Sequence, residues 1–198
     1  MRETAVWMAI AYLLGSVPTG FLLVKRLKRI DIRTFGSGNT GANNVRRILG
    51  KEWAILVAVF DMLKGVIGLL LAMDSGITDP WMLSLIALAG VSGHNYPVWL
   101  KFKGGKGVAT SYGVIFLLWP LNSFAIALMG GVVWYAIMSS TRYVSLASVL
   151  SLFAVTLFFL ILSAPPAFTL FSLVLTLLSA WRHHENLGRI INGTESRV

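Results

Sequence analysis

Trp53-Ala-Ile-Leu-Val-Ala-Val-Phe-Asp61-Met-Leu-Lys64-Gly-Val-Ile-Gly-Leu-Leu-Leu-Ala-Met73 is apolar throughout except for one acid and one base. At about 1.5 Å per helical residue the run reaches about 30 Å, the thickness of a bilayer's hydrocarbon core. It predicts a membrane-spanning helix, and the rest of the 198 residues agree: 56% are hydrophobic, 13% are charged, and mean hydropathy is +0.75. A soluble fold is excluded, and a single all-α transmembrane domain over residues 1–198 is expected. The absence of cysteine excludes disulfides, thiolate metal sites and a cysteine nucleophile.

The neighbouring segments repeat the pattern. Ala5 to Val24 is a first span, long enough to cross rather than to be a cleaved leader, and it ends in the basic cluster Lys25, Arg26, Lys28, Arg29. A polar loop, Lys25 to Glu52, precedes the opening run, and Asp74 to Asp79 after it is acidic and holds no Lys or Arg. Pro80 to about Trp99 is the third span. Val108 to Met138 is too long for one untilted helix; Trp119-Pro120-Leu121-Asn122 divides it into two short spans, since proline ends a helix and asparagine suits a turn. Ser139 to Arg142 is then a loop, Tyr143 to Leu162 the sixth span, Pro165-Pro166 a turn, and Ala167 to Trp181 the seventh. Five spans are the alternative, with the short central pair merged and one other helix demoted. In the seven-span reading only Arg2 lies outside and only Lys64 within a span, so the other basic residues, of 17 Lys and Arg, all fall inside. The prediction is a bundle with the N-terminus outside and the C-terminus cytoplasmic.

Four inside segments carry the polar chemistry. In His94-Asn-Tyr-Pro-Val-Trp-Leu-Lys-Phe-Lys-Gly-Gly-Lys-Gly107, Lys101, Lys103 and Lys106 interleave with Gly104, Gly105 and Gly107. Cations beside unobstructed backbone N–H groups hold phosphate, although a basic turn made by the positive-inside rule reads the same way. It is not a Walker A loop, because Lys106 is followed by Gly107. Thr34 to Arg47 gathers Gly36, Ser37, Gly38, Asn39, Thr40 and Asn43 ahead of Arg46 and Arg47. Its Asn and Gly can turn consecutive amides into one concavity, and Ser37 or Thr40 can cap a helix from Asn43 to Leu49 that Gly50 closes. In the tail, Arg182, Glu185, Asn186 and Arg189 share a helical face with His183 beside Asn186, either as a catalytic constellation or as an interface-anchoring helix end. Arg142 could join Arg47 and Lys106 in a cationic ring. Asp61 and Lys64 lie one turn apart and can pair, as a tie between helices or as a functional intramembrane charge. All four segments are expected at one membrane face. The His-x-x-x-x-Asp acyltransferase signature is absent, and carboxylates are too few for a two-metal site, so no metal and no cofactor are expected.

Three motifs in register carry a resemblance. Gly-Ser-Gly-Asn-x-Gly-x-x-Asn-x-x-Arg is matched by Gly36 to Arg47, Gly-His-x-x-Pro with a Gly-Gly-Lys-Gly core by Gly93 to Gly107, and His-x-x-Asn-x-x-Arg by His183, Asn186 and Arg189. Over essentially the whole chain, the sequence resembles the PlsY family of bacterial acyl-phosphate:glycerol-3-phosphate acyltransferases. The resemblance implies transfer of a fatty acyl group from acyl phosphate to the sn-1 hydroxyl of glycerol 3-phosphate, giving lysophosphatidic acid and phosphate, in phospholipid synthesis at the inner membrane of a bacterial cell. In that picture Lys106, Arg47 and the Gly104–Gly107 backbone hold phosphate. Ser37, Asn39 and Asn43 orient the substrates, and His183 with Asn186 positions the glycerol hydroxyl. Gly36, Gly38, Thr40, Arg46, His94, Arg142 and Arg189 complete the binding set. Whether a histidine or the donor's own phosphate takes the proton stays open. Partners implied are the two substrates and membrane lipids, with a monomer expected and no nucleic acid, since the basic residues sit in short loops. The rival from another class is a transporter of a small phosphorylated anion, which would need polar residues through its spans; beyond Asp61 and Lys64 the spans offer few.

Overall fold

A computed structural model describes residues 2–119 and 121–198, and the contacts fall into two compact units, Met1–Val114 and Ile115–Val198. All seven apolar segments expected from the sequence are helical among the described residues. Among the described residues four stretches are long and apolar enough to cross a membrane: Arg2–Lys28, Lys51–Asp74, Asn122–Thr141 and Val144–Ile161.

In the first unit the leading apolar segment is two helices, α1 (Arg2–Gly15) and α2 (Thr19–Lys28), and not the one expected over Ala5 to Val24. Pro18 is the cause, because it has no N–H to donate and its ring disfavours helix at Val17. The carbonyl of Val17, left at the break, accepts a hydrogen bond from Lys64 Nζ at 2.8 Å. Irregular backbone at membrane depth survives where such a partner exists. α3 (Ala42–Leu49) and α4 (Lys51–Asp74) follow, joined at Gly50, whose φ of 99° suits glycine alone. α5 (Pro80–Asn95) opens on Pro80, with the Asp79 side chain accepting from the Met82 amide at 2.9 Å. It stops at Asn95, short of the expected Trp99, because Pro97 holds Tyr96 in a non-helical conformation; a single 3₁₀ turn, Val98–Leu100, follows.

α1 packs on α4 and α5, and α2 on α3 and α4. At the crossings of α1 the backbones come close together. A Cβ at Gly15 would collide with the Gly90 carbonyl, one at Gly93 with the Tyr12 carbonyl, and one at Gly68 would stand 3.0 Å from Ala11. Small residues at crossings are how helices pack where the solvent is lipid. Beneath the loop between α2 and α3, Val24, Ile32, Val45 and Val57 form a fully buried apolar cluster.

α6 (Val108–Leu118) begins in the first unit and ends in the second, where α7 (Asn122–Thr141), α8 (Val144–Ile161), α9 (Pro166–Arg182) and α10 (His184–Ile191) follow. The expected break between α6 and α7 is present; Pro120 itself lies outside the described residues. Ser123 Oγ accepts from the Trp119 amide at 2.7 Å across that break. The expected loop Ser139 to Arg142 is shorter than its polarity suggests: α7 continues to Thr141, because the hydroxyls of Ser139, Ser140 and Thr141 bond back to carbonyls of their own helix. Only Arg142 and Tyr143 connect the helices, with Arg142 left-handed at φ 61°. α8 pairs with α7 through Trp134 Nε1 to Ser148 Oγ, 3.3 Å, and with α9 through the hydroxyls of Thr156 and Thr176, 3.1 Å.

Candidate active site

The loop after α2 is organised by one buried side chain, Asn44 in the first turn of α3. Its amide donates to the carbonyls of Ile32 (3.1 Å), Phe35 (2.9 Å) and Asn39 (3.0 Å), and its Oδ1 accepts from the Ser37 amide at 3.2 Å. The loop bends tightly enough for this only because Gly36 and Gly38 take φ of 56° and 66°; a Cβ on Gly36 would also collide with Asn44 Oδ1. Ser37 is thereby held at the surface, and the Arg47 side chain passes beside Gly36, its Cδ 3.4 Å from where a Cβ would be. Arg46 and Arg47 are exposed on the last turn of α3, Thr40 is buried, and Asn43 is half-buried.

Two expectations for this loop are corrected. α3 starts after Gly41 with no side-chain cap, so neither Ser37 nor Thr40 caps it; Asn39 Oδ1 accepts from the Gly41 amide at 2.8 Å instead. The amides of Ser37, Gly38 and Gly41 are all bonded within the loop and do not form an open nest. The asparagine that braces the loop is Asn44, and counting the motif from Gly36 puts its asparagine at that position.

The Gly/Lys loop is built on the end of α5. The amides of Gly104 and Gly105 donate to the carbonyls of Asn95 (3.3 Å) and His94 (3.0 Å), which the stopped helix leaves without partners of its own. These two amides therefore cap α5 and do not make the expected phosphate nest. Of the three lysines in this loop Lys106 is half-buried, while Lys101 and Lys103 are exposed. His94 is buried under the turn, at 7% exposure, so it acts on the loop from below and does not face a solvent-borne substrate. A Cβ at Gly105 would overlap its Nε2, and one at Gly107, φ 77°, would press on Asn95 Oδ1 at 2.6 Å. On the other edge His94 Nδ1 stands 3.6 Å from Asp61 Oδ1, and Asp61 pairs with Lys64 at 2.8 Å.

Asp31 and Arg33 join the two loops and were not singled out from the sequence, where a lone acid and base in a basic loop carry no signal. Arg33 bonds both carboxylate oxygens of Asp31 (Nε 3.0 and 3.2 Å, Nη2 2.7 Å), lies over the Phe21 ring, and donates from Nη1 to the Leu100 carbonyl at 3.3 Å. The hydrogen bonds from Arg33 hold the Asp31 carboxyl below its ordinary range. The clamp's contribution is thus in place above the ordinary carboxylate value and is lost as pH falls through the lowered one. Asp31, Arg33, Thr34, Gly38 and Lys103 line a cleft of about 360 Å³ between the loops.

In the second unit His183 breaks the helix between α9 and α10 and is buried, its Nδ1 2.8 Å from the Ser179 carbonyl and 3.3 Å from the Ser179 hydroxyl. Three residues on, Asn186 Nδ2 donates to Glu195 Oε1 at 2.6 Å, and Arg189 Nε donates to the other oxygen of the same carboxylate at 2.7 Å. Glu195, like Asp31 and Arg33, was not singled out from the sequence, since it falls beyond the helical face. The tail then returns to the α7–α8 connection: Val198 donates to the Arg142 carbonyl at 3.1 Å, and Arg197 stacks on Tyr143. Arg142 itself is exposed.

A family model described as glycerol-3-phosphate acyltransferase matches residues 5–193. A curated glycerol-3-phosphate acyltransferase of Aquifex aeolicus is 44% identical over 94% of this chain and 95% of its own, and that of Thermus thermophilus is 45% identical over 98% and 95%. Two crystal structures of PlsY, an integral membrane glycerol 3-phosphate acyltransferase, match 98% of this chain at 42% identity. The glycerol 3-phosphate form covers 95% of that chain with a TM-score of 0.92, and the lysophosphatidic acid form covers 94% with a TM-score of 0.89.

Proposed function

Because the chain belongs to the glycerol-3-phosphate acyltransferase family, we propose that this integral membrane enzyme takes its acyl group from acyl phosphate, acylates the sn-1 hydroxyl of glycerol 3-phosphate, and releases lysophosphatidic acid and phosphate. The observation that supports this best is the Asn44-braced loop, which sets Ser37 on the surface beside Arg47. The site opens to the cytoplasm of a bacterial inner membrane, with the N-terminus outside and residues 1–198 working as one catalytic domain in a monomer. In the first unit Arg47 and Lys106 neutralise phosphate, with Arg46 near by, and Ser37, Asn39 and Asn43 orient substrate on the Gly36–Gly38 turn. Thr40 supports that turn from its buried position. In the second unit His183 and Asn186 position the glycerol hydroxyl, and Arg189 and Arg142 supply further cations.

Acyl phosphate is a mixed anhydride whose phosphate leaves readily, so the enzyme's work is to place two anions and to stabilise charge as the hydroxyl adds to the carbonyl. Direct attack needs no activated side chain, and Ser37 has no base adjacent in sequence. Incubation with radiolabelled acyl phosphate alone is expected to leave no label on Ser37 after denaturation, and Ser37→Ala to lower the rate while kinetics stay sequential. Label retained on Ser37 at a turnover-competent rate would make it the nucleophile. Offered acyl phosphate, acyl-CoA and acyl carrier protein in competition, the enzyme should consume acyl phosphate.

Lys106→Ala is expected to cost more than Lys101→Ala, because Lys106 is half-buried in the turn and Lys101 is exposed. A charge-assisted contact shielded from water contributes roughly 1.5–3 kcal/mol, and an exposed one about 1 or less. The check is kcat/KM for glycerol 3-phosphate, where equal losses would reverse the ranking.

A further inference from the structure

Inside the first unit three ionisable side chains that the acyl transfer does not use form a connected row: Lys64, Asp61 and His94, exposed by 9%, 3% and 7%. Lys64 bonds both the Val17 carbonyl at the α1–α2 break and Asp61. A salt bridge that only tied α4 to the broken helix would end there. Asp61 instead also faces the Nδ1 edge of His94, and the opposite edge of that ring is where the backbone of Gly105 rests. At 3.6 Å the contact between carboxylate and imidazole exceeds hydrogen-bond length, so it acts by charge and by packing. The imidazole is a spacer between an intramembrane carboxylate and the turn that carries Lys106.

We propose that Asp61 is a positioning residue: its carboxylate, anchored by Lys64, holds His94 under the Gly104–Gly107 turn and so fixes where Lys106 stands. The proposal rests on the reading that Lys106 binds the substrate's phosphate. An intramembrane charge pair is retained at a cost, and presenting a cation at a set height accounts for it here.

The test uses the full chain in micelles. Asp61→Asn is expected to raise KM for glycerol 3-phosphate about tenfold or more, as misplacement of a binding group does. Asp61→Glu should restore part of the loss, and Asp61→Asn combined with Lys106→Ala should be no worse than Lys106→Ala alone, since both act through one cation. Asp61→Asn strands a buried lysine, so Asp61→Asn/Lys64→Gln, which removes both charges at similar volume, serves as the second variant. It should unfold at the wild-type temperature yet keep the raised KM; recovery of both would reduce the pair to a structural tie and overturn the proposal. Because the chain has no cysteine, a spin label at Lys103→Cys reads the loop directly, and it should become more mobile in the neutralised variant. An unchanged label overturns the positioning role whatever the kinetics. Kinetically silent Lys106→Ala with a mobilised label overturns the functional reading of Lys106 and leaves the positioning role standing.

Discussion

Asn44→Ala is expected to lower kcat/KM by a factor of about 100 or more and to lower the unfolding temperature as well. Four hydrogen bonds end on that one side chain, each contributing about 1 kcal/mol net, and three carbonyls would lose a donor, those of Ile32 and Phe35 keeping only the amides of Phe35 and Gly38. Without them the Gly36–Gly38 turn has nothing to close on, and Ser37 no longer keeps its place relative to Arg47. Asn44→Asp separates donor from acceptor. It keeps the oxygen that receives the Ser37 amide, replaces the amide donor by a second acceptor, and should be nearly as impaired as Asn44→Ala. Full activity in Asn44→Asp would mean that the carbonyls of Ile32, Phe35 and Asn39 are held some other way.

Gly105→Ala is the second large effect. The new methyl would overlap the imidazole of His94, whose own backbone is pinned by the Gly105 amide, so neither side can yield without moving the turn. We expect loss of most activity, with thermal unfolding reporting whether α5 is disturbed too. Gly131→Ala in α7 is the matched control, because nothing lies within 4 Å of a Cβ there, and replacing a mid-helix glycine by alanine should preserve activity and add about 0.5–1 kcal/mol of stability. Similar damage at both positions would show that the effect belongs to glycine replacement in general.

The helical architecture could be read from the sequence because hydropathy over 20-residue windows is a summed quantity that tolerates local error. The places where it failed are single-residue events. Pro18 splits the first segment because one proline outweighs its apolar neighbours once Lys64 supplies a partner for the Val17 carbonyl. The hydroxyls of Ser139 to Thr141 look like a loop yet extend α7, since each can bond a carbonyl of its own helix. For the site, the residue types that converge on each loop were visible, and their division of labour was not. Gly104 and Gly105 read as donors to phosphate, but their amides are taken by the end of α5, which only the point where the helix stops could reveal. Asn43 and Asn44 are adjacent and alike in type; the motif count falls on Asn44, and its burial shows that this asparagine braces the loop. Asp31 and Arg33 lie two residues apart, but what gives the pair its place is the Leu100 carbonyl 67 residues on, and Glu195 acts on partners six and nine residues away, separations beyond the reach of a helical-face pattern.

The crossing of α1 and α5 has a practical corollary. Where Gly15 meets Gly90 and Gly93 meets Tyr12, the helices touch main chain to main chain. Water plays no part in that attraction, and hydrocarbon surrounds the pair on either side of purification, so exchanging lipid tails for detergent tails removes little of it. The first unit should accordingly keep its helix arrangement through extraction into mild detergents of quite different chain length, which makes solubilised protein a fair material for the kinetic comparisons above.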